Sequence, residues 1–319
     1  MKRNLIFAYM IMLFTCFSCQ KDIEEVAPIQ TTNQPEKIKF EEGMIVFEDS
    51  TELKSIIIYL YNNNASVNNT FEQKPTGFTS MLDVYNYANS INNEKQYLEY
   101  CKSHQSVFCR IGNDTSFFYE LKIPRILSLL TNENGMLKIG DTYVMYSNDY
   151  IYKSLKLSSL LSVLNSNYNC IPKDVSKQQT FSNIGIINNK AEYSYKTAYF
   201  DNKHRIVARL YKYNSGTEYH YDGVTTAQKK GLLGIWTQEE ISMVRFSRGT
   251  GYAIDAPNHV IPVNILPMSI TYYNKSEVGY TAAILYYGCA DANLSYLATT
   301  HTGTRSGTTV SVTTNNIFF

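Results

Sequence analysis

The chain has 319 residues, with 29 Lys and Arg against 28 Asp and Glu and a formal net charge of +1. So even a balance makes no electrostatic case for nucleic acid as a partner, which needs a basic face. The apolar fraction of 44% supports a sizeable core and argues against disorder as the state of the whole chain. The 27 tyrosines against one tryptophan have two readings. Tyrosine suits half-buried strand positions and surfaces that contact sugars or proteins; it also accompanies the Asn, Lys and Ile enrichment of an AT-rich coding sequence.

The first element is a leader. Lys2 and Arg3 precede the uncharged apolar run Leu5 to Phe14, and Cys16-Phe17-Ser18-Cys19 closes it. This has the form of a secretory signal, too short for a membrane-spanning helix. A cysteine at the cut point resembles the lipobox of bacterial lipoproteins. The resemblance implies a signal peptide of residues 1–18 and a lipid on the Cys19 thiol. The acidic stretch after it, Asp22 to Glu25, resembles the export signal of Bacteroidota surface lipoproteins. The expected location is therefore the outer membrane, lipid-anchored and surface-exposed. No later segment has 18 uncharged apolar residues, so the expected membrane partner is reached through the anchor alone.

Residues 19–42 are polar, contain Pro28 and Pro35, and read as a tether. A short strand is expected at Gly43 to Phe47. Asp49 followed by Glu52 gives a helix start, and Leu53, Ile56, Ile57 and Leu60 give its apolar face. Asp49-Ser50-Thr51 is also similar to a short motif that Bacteroidota O-glycosylate, with Thr51 a poor match. Further helices are expected after Thr79-Ser80 and from Asn93 to His104, and a helix starting at Pro124 is permitted. Gly140-Asp141 between Met136–Ile139 and Thr142–Tyr146 predicts a type II′ hairpin.

Residues 154–180 read as a linker between a region of residues 43–153 and a β-rich domain of residues 181–319. In that domain Asp201 to His204 turns a hairpin, with Tyr193, Tyr195, Thr197 and Tyr199 on one face. Strands are expected near 232–236, 241–246, 260–265, 268–273, 278–287, 294–300 and 308–312. The fold class expected is α+β, with a helix-rich N-terminal half and a small hairpin. A β-sandwich-like or partly closed barrel domain would follow it.

No motif carries chemistry. His104, His204, His220, His259 and His301 show no metal spacing, and no nucleophile elbow or phosphate loop is present. No cofactor and no metal is expected. Cys101, Cys109, Cys170 and Cys289 allow three full disulfide pairings or buried thiols. Cys109 or Cys289 with a histidine is the only route to a secreted hydrolase. The candidate ligand-binding residues are aromatic: Trp236, Tyr219 and Tyr221. The alternative for Trp236, between Leu233 and Ile235 on one side and Glu239-Glu240 on the other, is core.

The leader, Leu129 to Tyr143 and the segment Lys230-Gly231-Leu232-Leu233-Gly234-Ile235-Trp236 together resemble a group of Bacteroidota surface lipoproteins of unknown function. The resemblance implies location and carries no catalytic residues. The expected function is non-catalytic binding of a glycan, host protein or envelope partner.

Overall fold

The computed structural model describes residues 39–62, 77–123, 125–147, 150–179, 193–214, 218–255, 259–261, 268–286 and 293–317. The expected signal peptide, Cys19 and almost all of the expected tether lie outside them. So do Cys289 and the side chains of His220 and His259. The described residues form one compact unit. They are mostly strand, in several sheets of which none is closed. This corrects the expected fold class: the first half is not helix-rich, and no partly closed barrel follows it.

The first half is built on a six-stranded sheet. Its strands are β1 (Lys39–Glu41), β2 (Met44–Phe47), β5 (Met136–Ile139), β6 (Thr142–Tyr146), β7 (Tyr150–Ser154) and β8 (Ser176–Gln179), in that spatial order. All neighbours are antiparallel except β2 and β5, which run parallel with Phe47 opposite Ile139. Strand alternation sends successive side chains to opposite faces, and both faces are covered. Ile45, Phe47, Leu137, Val144 and Ile151 belong to one apolar cluster with helices α1 (Ser50–Asn62) and α2 (Met81–Ser90). Met44, Met136, Met145 and Tyr152 belong to another with Leu160 and Val163 of helix α5 (Leu157–Asn165). Each such apolar side chain contributes about 1.5–3 kcal/mol by leaving water.

The helices start where short polar side chains replace the missing backbone acceptors. Asp49 Oδ1 accepts from the N–H groups of Thr51 (2.7 Å) and Glu52 (2.9 Å). Ser80 and Asp83 cap α2 reciprocally, and Asn93 accepts from Gln96 N–H at the start of α3 (Glu94–Ser103). The last of the crossover helices, α4 (Arg125–Leu130), leads into β5. The Gly140-Asp141 turn forms as expected, with Gly140 at φ +55°, a value glycine adopts without strain.

Two features explain the misread first half. Ser116–Leu121 (β4) and Phe108–Asn113 (β3) pair as a hairpin where no strand was expected. Within the segment read as a linker, α5 packs on the sheet and β8 pairs with β7.

The second half contains two more sheets. One has β12 (Trp236–Gln238), β11 (Glu218–Lys230), β10 (His204–Asn214) and β9 (Tyr193–Tyr199), with β16 (Glu277–Tyr286) also on β11. The other has β14 (His259–Ile261), β13 (Ile241–Asp255), β17 (Asn293–Arg305) and β18 (Thr308–Ile317), with β15 (Met268–Lys275) also on β13. They share one cluster: Ile206, Leu210, Tyr221, Ala227 and Val278 from the first, and Ile241, Val244, Phe246 and Leu297 from the second. The approach is close at Gly223, where an added Cβ would stand 2.1 Å from Phe246 Cε2.

Candidate functional site

On β10 the side chains Arg205, Val207 and Arg209 alternate with Ile206, Ala208 and Leu210. Ile206 and Leu210 enter the shared core, so the arginines face the opposite way, toward the β3–β4 hairpin and α2. That face is also buried: Arg205 is 5% exposed and Arg209 2%. A guanidinium cannot shed its charge, so each must find carboxylates, carbonyls or rings.

Arg209 finds carboxylates. Its guanidinium pairs with Glu120 of β4 and, at 3.3 Å, with Glu277 Oε2 of β16. Glu277 Oε1 accepts from Arg125 of α4. Its Oε2 also accepts from Thr226 Oγ1 (2.9 Å), Gln238 Nε2 (3.1 Å) and Tyr85 Oη (3.4 Å). Gln238 Nε2 reaches Tyr85 Oη at 2.7 Å, and Ser276 Oγ donates to Gln238 Oε1 at 2.9 Å. Burial opposes the charge of Glu277, but Arg125, Arg209 and the hydroxyls outweigh it and hold the carboxyl below its ordinary range. Burial and then the Glu277 charge push the Tyr85 phenol well up.

A buried cluster of perturbed groups is the usual mark of an active site. Here two arginines meet two glutamates, Glu277 is held as carboxylate and Tyr85 as phenol. The cluster joins α2, α4, β4, β10, β11, β12 and β16 as a structural tie. Arg209 Nε is the one buried side-chain nitrogen or oxygen without a hydrogen-bond partner among the described residues.

Arg205 finds rings. Its guanidinium carbon lies 3.9 Å from the centroid of Trp236 and 5.5 Å from that of Phe118, and its Nε donates to Gln228 Oε1 at 2.9 Å. Phe118 stacks on Tyr195 with centroids 6.2 Å apart and planes at 15°. Trp236 meets Tyr199 edge-on at 6.1 Å and donates its indole N–H to Ser116 Oγ at 2.9 Å. The result is a continuous stack: Tyr195, Phe118, Arg205, Trp236, Tyr199. Its middle is buried and its two ends are open, Tyr195 at 37% and Tyr199 at 55% exposure.

The sequence candidates fall around this stack. Trp236 is buried at its centre and offers no ring face to solvent. Tyr221 is fully buried in the core between the two sheets. Tyr219 lies on β11 opposite Asn214 and Leu285, and its side chain is outside the described residues. Exposed aromatic side chains lie instead on β9, at Tyr195 and Tyr199, and elsewhere at Tyr87 of α2 and at Tyr272 and Tyr273 of β15; only the β9 pair rests on the buried stack. Alternation had put Tyr195 and Tyr199 on one face, but only the fold shows which rings lie beneath them. The signal for Arg205 and Arg209 was their place in an apolar strand, where a charge demands a partner.

The described cysteines and histidines are placed as follows. Burial pushes the Cys101 thiol up to about 12, which leaves it inert. Cys109 Sγ points at the carbonyl oxygens of Glu120 and Leu121, and Cys170 is exposed. No disulfide joins these three. His204 Nδ1 lies 2.8 Å from Asp201 Oδ1, but its Nε2 faces Arg305 at 2.9 Å rather than a nucleophile. His301 is enclosed by Thr225 and Thr299. No group of three or more His, Cys, Asp or Glu among the described residues is placed to hold a metal. No described helix is long and apolar enough to cross a membrane. No family model matches the chain, and no curated protein matches it.

Proposed function

We propose that the chain is a lipid-anchored protein of the outer membrane, displayed at the cell surface through Cys19, and that it binds a glycan without catalysis. The leader with Cys16 to Cys19 and the acidic stretch after it support the anchor and its address. The observation that carries the binding function is the stack under β9. Tyr195 and Tyr199 lie four residues apart on one strand face, about 13 Å at the rise of a β-strand, which suits two non-adjacent rings of one extended oligosaccharide. A platform must present its rings without flexing. Here Phe118 and Trp236 hold the two tyrosines from below, and Arg205 holds Phe118 and Trp236 together. Pre-organisation of this kind lowers the entropic cost of binding.

The experiment is a glycan array probed with the full chain and with its Tyr195→Ala, Tyr199→Ala double variant. The expected result is a set of oligosaccharides retained by the first and lost by the second. Equal retention by both, or turnover of any retained glycan, would remove the proposal. A hydrolase built on cysteine and histidine gains no support from the described geometry.

A further inference from the structure

A second exposed feature, distinct from the tyrosine pair, is the turn that joins β11 to β12. It presents Leu232 at 99% and Leu233 at 55% exposure. Adjacent large apolar side chains so open are uncommon on a surface that has no contact to make. The turn is also held. Gly231 N–H donates to Ile235 O (2.9 Å) and Gly234 N–H to Gly231 O (3.2 Å). The Glu94 carboxylate, at the start of α3, accepts from Leu233 N–H (3.1 Å) and Ile235 N–H (3.3 Å). The leucines are therefore fixed outward and cannot fold back to cover themselves.

Cationic side chains surround the turn. Lys229 and Lys230 lead into it. Lys203 is adjacent, because its carbonyl accepts from Lys230 N–H at 2.8 Å. None of the three has a carboxylate partner among the described residues. Of the acids near it, Asp201 meets His204 and Glu239 meets Arg305, and the Glu94 carboxylate is taken up by the turn's own N–H groups. The Lys230 ammonium lies 5.8 Å from the Trp236 ring centroid, which leaves its charge in place, so three cations beside the two leucines, against the one carboxylate in the turn, are complementary to an anionic surface. Two side chains are far too little for a specific protein interface, which buries roughly 1,000 Å² or more. They are enough to reach the boundary between headgroups and acyl chains while lysines stay among the headgroups.

We infer that the Gly231–Ile235 turn is a docking tip for an anionic lipid surface. Leu232 and Leu233 enter the acyl boundary, and Lys203, Lys229 and Lys230 contact the headgroups. The tip does not depend on an acyl chain at Cys19; with that anchor present it would fix which end of the domain faces the membrane.

The test uses the full chain carrying Leu232→Trp, a change at a side chain that packs on nothing. It is mixed with vesicles of brominated phosphatidylcholine, with or without phosphatidylglycerol. The buried Trp236 of the unaltered chain supplies the reference emission. The expected result is a loss of the added emission of about twofold or more in phosphatidylglycerol vesicles, with a blue shift. A clearly smaller loss is expected in phosphatidylcholine alone. Leu233→Ser should weaken the effect, and Gln at Lys203, Lys229 and Lys230 should abolish the difference between the two lipids. Emission unquenched in phosphatidylglycerol vesicles overturns the inference, and so does equal quenching in both. Flotation with the vesicles but no quenching would leave the Cys19 anchor standing while the tip falls.

Discussion

At the scale of single residues, the fold holds two titratable side chains in fixed states. His301 sits between the two second-half sheets, its Nδ1 2.8 Å from Thr225 Oγ1 and its Nε2 2.9 Å from Thr299 Oγ1. Burial, reinforced by the Arg209 charge, lowers its pKa from 6.5 to about 3. The unfolded chain therefore binds a proton that the folded chain refuses, and stability must fall as pH drops from 6.5 toward 3. The slope approaches about 1.4 kcal/mol per pH unit for one proton. Urea titrations between pH 7 and 5 should show this loss and His301→Gln should flatten it; a slope unchanged by the substitution would contradict the assignment. Glu277 acts in a lower window, because its folded pKa lies below 4.5; its contribution is present above 4.5 and is lost as pH falls through the folded value. Glu277→Gln at neutral pH should cost about 3 kcal/mol, since the buried Arg209 loses one of its two carboxylates and the half-exposed Arg125 loses its own. Chemical denaturation measures it directly, and a change within about 0.5 kcal/mol would mean that the tie carries no load.

At the scale of elements, hairpins were legible and the first sheet was not. Gly140-Asp141 and Asp201 to His204 declare their turns by residue type, and the strands they join pair as the alternation requires. The six-stranded sheet was hidden because its one parallel pair joins Val46 to Lys138, across a crossover that holds four described helices and a hairpin. Its strands are also only three to five residues long, too short to display a period. The close approach of the two second-half sheets was hidden too, since it turns on the contact of Gly223 with the Phe246 ring. Gly223→Ala places a methyl inside that ring's space. The expected cost is about 1–3 kcal/mol, read as a lowered melting temperature with the secondary structure unchanged. An unchanged melting temperature would show that the sheets have room to separate.

At the scale of the whole molecule, the proposed address and the proposed contacts lie in different places. The lipobox-like pattern at Cys19 is local in sequence, and it lies outside the described residues. Replacing Cys19 by Ala should move the protein from the membrane to the soluble fraction, and retention in the membrane fraction would remove the anchor. The contact surface was only half legible. Tyrosine alternation on β9 gave its outer rings, while Phe118, Arg205 and Trp236 come from three other strands and meet only in the fold. The buried arginine–glutamate tie was illegible for the same reason, its members lying on seven elements. Binding through a stack makes a specific demand: the ring must matter and the phenolic hydroxyl much less. The deciding measurement is therefore a calorimetric titration of an array-identified oligosaccharide into four chains: unaltered, Tyr195→Phe/Tyr199→Phe, Tyr195→Ala/Tyr199→Ala, and Tyr272→Ala/Tyr273→Ala as a control on β15. Affinity should survive the Phe pair and the β15 control and fall about tenfold or more in the Ala pair, a change of about 1.4 kcal/mol. Equal affinity in the unaltered chain and the Ala pair would show that the stack beneath β9 is structural and that the oligosaccharide binds elsewhere.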